Sequence, residues 1–397
     1  MARSSRTTTY IVGTTAVAAL LVASAAFKLN DSTERSAPPP AAAYRAAPVL
    51  PPIRHVFVIV LENKDYQTTF GKGSAAPYLA DTLVKEGALL TGYYGIGHAS
   101  LDNYIAMISG QAPNPDTQAD CGQYAEFVEQ GMAADGQVIG RGCVYPAHVL
   151  TVANQLEQRG LTWHAYMEDM GNDPARESAT CGHAPIGQPD LTEGAQRGDA
   201  THPLDQYAAK HDPFVYFHSI IDSSTCQRNV VPLSRLEADL HSEDSTSNYT
   251  FISPNLCNDG HDRHCVSGEE GGLPAVNRWL RHWVPIIRSS PAFRDGLLIV
   301  TFDEATGSDP SACCDEQPGP NTKAPGVRGP GGGRTGAVLL SPFIAPGTVS
   351  NVPYNHYSML RSVEDIFGLP HLGYAGQEGL RPFGADVYTR APTGSGL

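Results

Sequence analysis

Residues 56–61 read VFVIVL, six consecutive apolar side chains. A run this short, rich in β-branched residues and lacking polar alternation, predicts a strand covered on both faces, as at the centre of a parallel sheet. Such a strand demands helices above and below it, and the chain supplies them in alternation. Helical spacing occurs over Ala76–Lys85, Leu101–Ser109, Val152–Gln158 and Tyr357–Phe367. A longer stripe is formed by Val276, Trp279, Leu280, Trp283, Val284 and Ile287, which recur at intervals of three and four. Strands are predicted over Ala88–Ile96, Leu161–Tyr166, Phe214–Phe217, Tyr249–Ile252, Leu297–Phe302 and Ala337–Leu340. The expectation is a three-layer α/β/α sandwich with a largely parallel central sheet, whose site lies at the C-terminal ends of its strands.

The first residues are expected to lie outside that fold. Arg3 and Arg6 precede a mostly apolar run from Tyr10 to Phe27, with Ala23-Ser24-Ala25 as a small-residue cleavage signal. Residues 1–27 thus read as a signal peptide or, uncleaved, an N-terminal anchor, since the run approaches the roughly 20 residues that cross a bilayer. Residues 28–52, rich in Ala and Pro, read as a linker, and 53–397 as the catalytic domain with a short C-terminal tail. The expected location is secreted, or anchored at the outer face of the membrane. The eight cysteines suit disulfides in an exported chain. Proximity suggests Cys257 with Cys265 and Cys121 with Cys143, while Cys313 and Cys314 can bridge each other or take separate partners. The net charge of −14 argues against nucleic acid as a partner, because that binding relies on Lys and Arg.

Chemistry-bearing residues cluster where strands end. Glu62-Asn63 follows the VFVIVL run, and Asp303-Glu304 follows Leu297–Phe302. Carboxylate and amide oxygens are hard ligands for a divalent ion such as Mg, Ca, Mn or Zn, and adjacent acids repel unless a cation or proton is shared. Ser100 stands where a helix begins. There it can cap the helix, or act as a nucleophile on an anion held by the unpaired N–H groups. Asn103 lies on the same helical face and can donate to a phosphoryl oxygen. A fourth cluster, Asn255 to His264, contains His261, which can serve as a general acid or hold a second ion; the same stretch also suits a plain disulfide-held loop. His356 and His211 are further acid candidates. Gly331, Gly333 and Gly336 satisfy GxGxxG but precede a strand, so they read as a mobile loop near the site and not as a dinucleotide fingerprint. The polar, cysteine-bearing stretches 113–146 and 171–203 are either lids or surface excursions.

HVFVIVLENKDY, GYYGIGHASLDNYIAMISG, LLIVTFDE, GGRTGAVLLSPFIAPGT and YNHYSMLRSVEDIFGLPHLGYA, in this order, resemble the bacterial phosphoesterase family of acid phosphatases and phospholipases C, within the alkaline phosphatase superfamily. The resemblance spans about Ile53 to Ala375. It implies one metal ion held by Glu62, Asn63, Ser100, Asp303 and Glu304, with Ser100 as nucleophile and a phosphoserine intermediate. Where related phosphodiesterases have nucleophile-x-Pro-Asn, this chain has Asp102 in place of proline. Two-zinc members carry His beside the later Asp; Glu304 stands there here, which implies a single ion. The expected substrate is a small phosphorylated molecule or phospholipid head group. Monoester hydrolysis is expected over a phospholipase C-like diesterase because only residues 376–397 follow the last motif. A different class, a cell-envelope binding module without catalysis, would be signalled by loss of a ligand residue, and all five are present. No Cys-x-Pro-x-Arg stretch exists to make a sulfatase nucleophile.

Overall fold

A computed structural model describes residues 50–390. The expected leader and most of the linker lie outside the described residues. Eight strands form the main sheet: β1 His55–Leu61, β2 Ala88–Leu90, β3 Trp163–Met167, β4 Val230–Pro232, β5 Tyr249–Ser253, β6 Gly296–Phe302, β7 Ala337–Leu340 and β8 Thr348–Ser350. Their order is β8-β2-β7-β6-β1-β5-β3-β4, and all run parallel except β7.

β1 is central and every one of its residues is buried. Its side chains alternate between two cores, as strand geometry requires. Val56, Val58 and Val60 face a layer that contains α1 (Ser100–Ser109), α2 (Val152–Gln158) and α4 (His356–Phe367). Phe57, Ile59 and Leu61 face the opposite layer, where α3 (Gly272–Ser289) lays down Val276, Trp279, Leu280, Val284 and Ile287. This is the α/β/α sandwich the apolar runs implied.

Two local expectations fail. Residues 214–217 are not a strand: Pro213 fixes a helical φ at the start of a 3-10 turn, Pro213–Tyr216, and the Asp212 carboxylate caps it by accepting from Phe214 N at 3.3 Å. The predicted strand Ala88–Ile96 breaks after Leu90, because Thr91 and Gly92 turn the chain before a short segment, Tyr93–Tyr94, pairs with Tyr354–Asn355. Edge strands β4 and β8 are too short to leave a sequence pattern.

Four disulfides join Cys121–Cys143, Cys181–Cys226, Cys257–Cys265 and Cys313–Cys314, and no cysteine is free. The first two pin the excursions 113–146 and 171–203, which also pair with each other through Gln123–Tyr124 and Gln188–Pro189.

Candidate active site

The register between β1 and β6 places the two acidic clusters side by side. Leu61 pairs with Phe302, so the residues that follow each strand leave the sheet at the same edge. Asp303 N donates to Leu61 O at 2.8 Å, and Asn63 N donates to Asp303 Oδ1 at 3.0 Å. Asn63 makes the sharp exit in the left-handed region, φ 57°, which Asn tolerates better than most residues.

Glu62 is fully buried and collects donors. Ser100 Oγ donates to its Oε2 at 2.9 Å, Asn63 Nδ2 to the same oxygen at 2.7 Å, and Tyr104 OH to Oε1 at 2.8 Å. Ser100, Asn103 and Tyr104 occupy positions i, i+3 and i+4 of α1 and therefore share the face turned to the centre. Sequence reasoning missed Tyr104, though its spacing from Ser100 carries that signal.

Asn103 is likewise fully buried, and its amide is committed to the chain that leads into Ser100. Its Oδ1 accepts from Ile96 N at 2.7 Å and Gly97 N at 3.0 Å; its Nδ2 donates to Gly97 O at 3.1 Å and Ala99 O at 3.0 Å, with Glu304 Oε2 at 3.3 Å. Donation to a phosphoryl oxygen requires one of these bonds to open. Gly95 packs so tightly beneath the centre that a Cβ there would stand 2.6 Å from Asp303 O. Asp102 points inward with both carboxylate oxygens unpartnered; burial pushes its carboxyl well above the ordinary range, and like charge from Glu304, Asp120 and Glu316 adds to the effect.

The three histidines occupy different places. His211 stacks on Tyr104 with ring centroids 5.2 Å apart, its Nε2 3.4 Å from Glu62 Oε1 and its Nδ1 3.3 Å from Asp259 Oδ2. Burial lowers it to about 4, so it is neutral near pH 7. His356 is also fully buried and lowered by burial to about 4; its Nε2 donates to Asp303 O at 2.5 Å and its Nδ1 accepts from Tyr93 OH at 3.0 Å. It braces the backbone behind Asp303. His261 is exposed at the rim, with Nδ1 2.9 Å from Asp262 Oδ1; that hydrogen bond raises its pKa, and the nearby Glu62 and Asp259 charges act the same way.

Further groups frame the centre. His98 Nδ1 stands 3.8 Å from Glu304 Oε1, and its Nε2 donates to Asp309 O at 2.7 Å. Lys64 Nζ donates to Gly260 O at 2.7 Å and Asn63 O at 3.1 Å, and burial lowers its pKa. Lys210 Nζ lies 3.2 Å from Asp120 Oδ2, and Asp120 Oδ1 accepts from Leu101 N at 3.0 Å. The GxGxxG run is not a free loop: Gly331, Gly332 and Gly333 are buried, Gly332 N donates to Gly95 O at 3.0 Å, and Gly95 N donates to Gly333 O at 2.9 Å.

Among the described residues no three His, Cys, Asp or Glu side chains stand in a ready metal-binding arrangement. The mixed set of Glu62, Asn63, Ser100, Asp303 and Glu304 nevertheless suits a hard cation. Asp303 Oδ2 is buried without a partner, and burial together with the charges of Glu62 and Glu304 pushes the Asp303 carboxyl far up. A cation relieves both conditions.

The sequence pattern described as the phosphoesterase family matches residues 73–370, which include Ser100, Asp303 and Glu304. The chain is 27% identical over 321 residues to an acid phosphatase of Aspergillus fumigatus, across 80% of this chain and 55% of that protein. It is 25% identical over 324 residues to a probable acid phosphatase of Kluyveromyces lactis, across 81% of this chain and 59% of that protein. It therefore spans little more than half the length of these relatives. A phosphatidylinositol-3-phosphatase of Mycobacterium tuberculosis is 24% identical over 330 residues, across 83% of this chain and 82% of its own. A solved protein in the alkaline phosphatase superfamily from Vibrio parahaemolyticus superposes with a TM-score of 0.47 at 12% identity, covering 86% of this chain and 74% of that one. With three quarters of its length inside the matched pattern, this chain belongs to the phosphoesterase family.

Proposed function

We propose that this chain is an exported, metal-assisted phosphomonoesterase in which Ser100 attacks phosphorus. The observation that carries the reading is the buried Ser100–Glu62 hydrogen bond at the N-terminus of α1, within reach of the Asp303-Glu304 edge. The hydroxyl can pass its proton toward the carboxylate as the Oγ–P bond forms, and the helix N-terminus favours the phosphoryl oxygens. The leaving alcohol departs with a proton from the rim, where His261 is the exposed acid; water then attacks the phosphoserine and frees phosphate. His211 and His356 are the wrong groups for that donation because both are buried and neutral.

Glu62, Asn63, Ser100, Asp303 and Glu304 would hold one divalent ion, which when bound supplies charge to the phosphoryl oxygens and lowers the serine pKa. The disulfides support an oxidising compartment, and residues 1–27 as a leader complete the reading. The substrate is a small phosphomonoester, with a phosphoinositide head group included because the Mycobacterium relative carries that name.

The test compares p-nitrophenyl phosphate, its bis-ester and phosphatidylcholine, before and after chelation and re-addition of Mg, Ca, Mn or Zn. Monoester turnover that falls on chelation and returns with one ion is expected. Hydrolysis of the bis-ester alone would make the chain a diesterase; no hydrolysis of any ester would leave a binding module.

A further inference from the structure

A separate cleft of about 270 Å³ opens beside the candidate centre, lined by His98, Gly307, Gly326, Val327 and Arg328. Its His98 wall is shared with the centre, through the 3.8 Å approach to Glu304 and the two-residue step to Ser100. The opposite wall is the turn at Gly326–Arg328.

That turn is held in place from the nucleophile's own side. Gln118 Nε2 donates to Ala324 O and to Pro325 O, each at 2.8 Å. Gln118 precedes Asp120, which accepts from Leu101 N in the first turn of α1. The turn closes through Gly326 N to Gly329 O at 3.0 Å and Val327 N to Ala324 O at 3.0 Å. Val327 has φ 59° and is 49% exposed. A β-branched residue in the left-handed region is a true outlier, and its exposure rules out core packing as the reason for holding it there.

Arg328 is exposed, and its guanidinium has no hydrogen bond or ion pair among the described residues. The carboxylate of Asp309, in the same connection between β6 and β7, is engaged by Ser311 N and Arg334 N, both at 3.0 Å. An unpaired guanidinium beside a centre built of carboxylates, on a chain of net charge −14, is the group that meets an anion.

We propose that this cleft receives the part of a phosphomonoester beyond the scissile phosphate, and that Arg328 selects substrates in which that part carries a second phosphate. The inference rests on the phosphomonoesterase reading and names its substrate class. Guanidinium and phosphate pair through two parallel hydrogen bonds, a geometry a lysine cannot copy.

The experiment measures kcat/KM for fructose 1,6-bisphosphate and fructose 6-phosphate with the intact enzyme. The wild type should favour the bisphosphate by about tenfold or more, the size of one charge-assisted pair, and mainly through KM. Arg328→Ala should bring the ratio to about one, and Arg328→Lys should restore part of it. A phosphatidylinositol monophosphate in phosphatidylcholine vesicles and its deacylated head group form a second pair, and Arg328→Ala should weaken both equally. A wild-type ratio near one, a ratio unmoved in Arg328→Ala, or a loss confined to vesicles overturns the assignment. Absence of hydrolysis of every monoester by the wild type overturns the underlying reading instead.

Discussion

Ser100 Oγ donates to the buried Glu62 Oε2 at 2.9 Å, which joins the first turn of α1 to the end of the central strand. Ser100→Ala should abolish turnover of p-nitrophenyl phosphate by several orders of magnitude. It should cost no more than about 0.5–1.5 kcal/mol of stability, one hydrogen bond. Parallel rate and thermal-melt measurements check this; a variant that keeps most of its turnover removes Ser100 from the mechanism.

Tyr104 OH supplies the second oxygen of Glu62 at 2.8 Å. Tyr104→Phe keeps the ring stacked on His211 but removes that donor, leaving a buried carboxylate oxygen short of a partner. A loss of about 1–3 kcal/mol is expected, with kcat lowered and KM little changed. Unchanged kcat would show that Glu62 needs no help from Tyr104.

Asn103 separates a positioning role from a binding one. Asn103→Ala orphans the N–H groups of Ile96 and Gly97, each at about 1–3 kcal/mol. We expect a clear drop in melting temperature together with lost activity, assayed well below that temperature. Full stability with raised KM alone would assign the amide to substrate.

Stability should fall between pH 6.5 and 9. Burial raises Glu168 to about 7, Asp212 to about 8 and Glu364 to about 9. Folded-state values above the unfolded ones mean the contribution is present below the ordinary carboxylate range and disappears as pH climbs through the raised values. The neutral imidazoles His211 and His356, lowered to about 4, act oppositely, but only below their unfolded value of about 6.5. Melting temperatures at constant ionic strength should therefore decline over the upper range, and Asp212→Asn should flatten the decline. A rise across that range contradicts the assignment.

The Cys181–Cys226 bridge has a sequence separation of 45 residues. In the chain-entropy account its removal by a double Ser substitution costs about 4 kcal/mol. Denaturant melts of the variant and the wild type measure the difference; a shift under about 1 kcal/mol would mean the reduced chain stays ordered there.

The sheet and the helix that begins at Ser100 were legible because their signals are local. An unbroken apolar run such as VFVIVL has few places to go, and a stripe like Val276 to Ile287 states its own period. The pairing of Glu62-Asn63 with Asp303-Glu304 is suggested by their ligand chemistry at two strand ends and by the resemblance; its cause, the Leu61–Phe302 register, is a contact across 241 residues that no local pattern carries. The same holds for the histidines. Nothing in the spacing of His211, His261 and His356 distinguishes a buried neutral ring from an exposed one, because burial is set by what packs around each ring. Residues 214–217 were misread for a related reason: an apolar run fits strand or turn alike until Pro213 and the Asp212 cap are seen acting together.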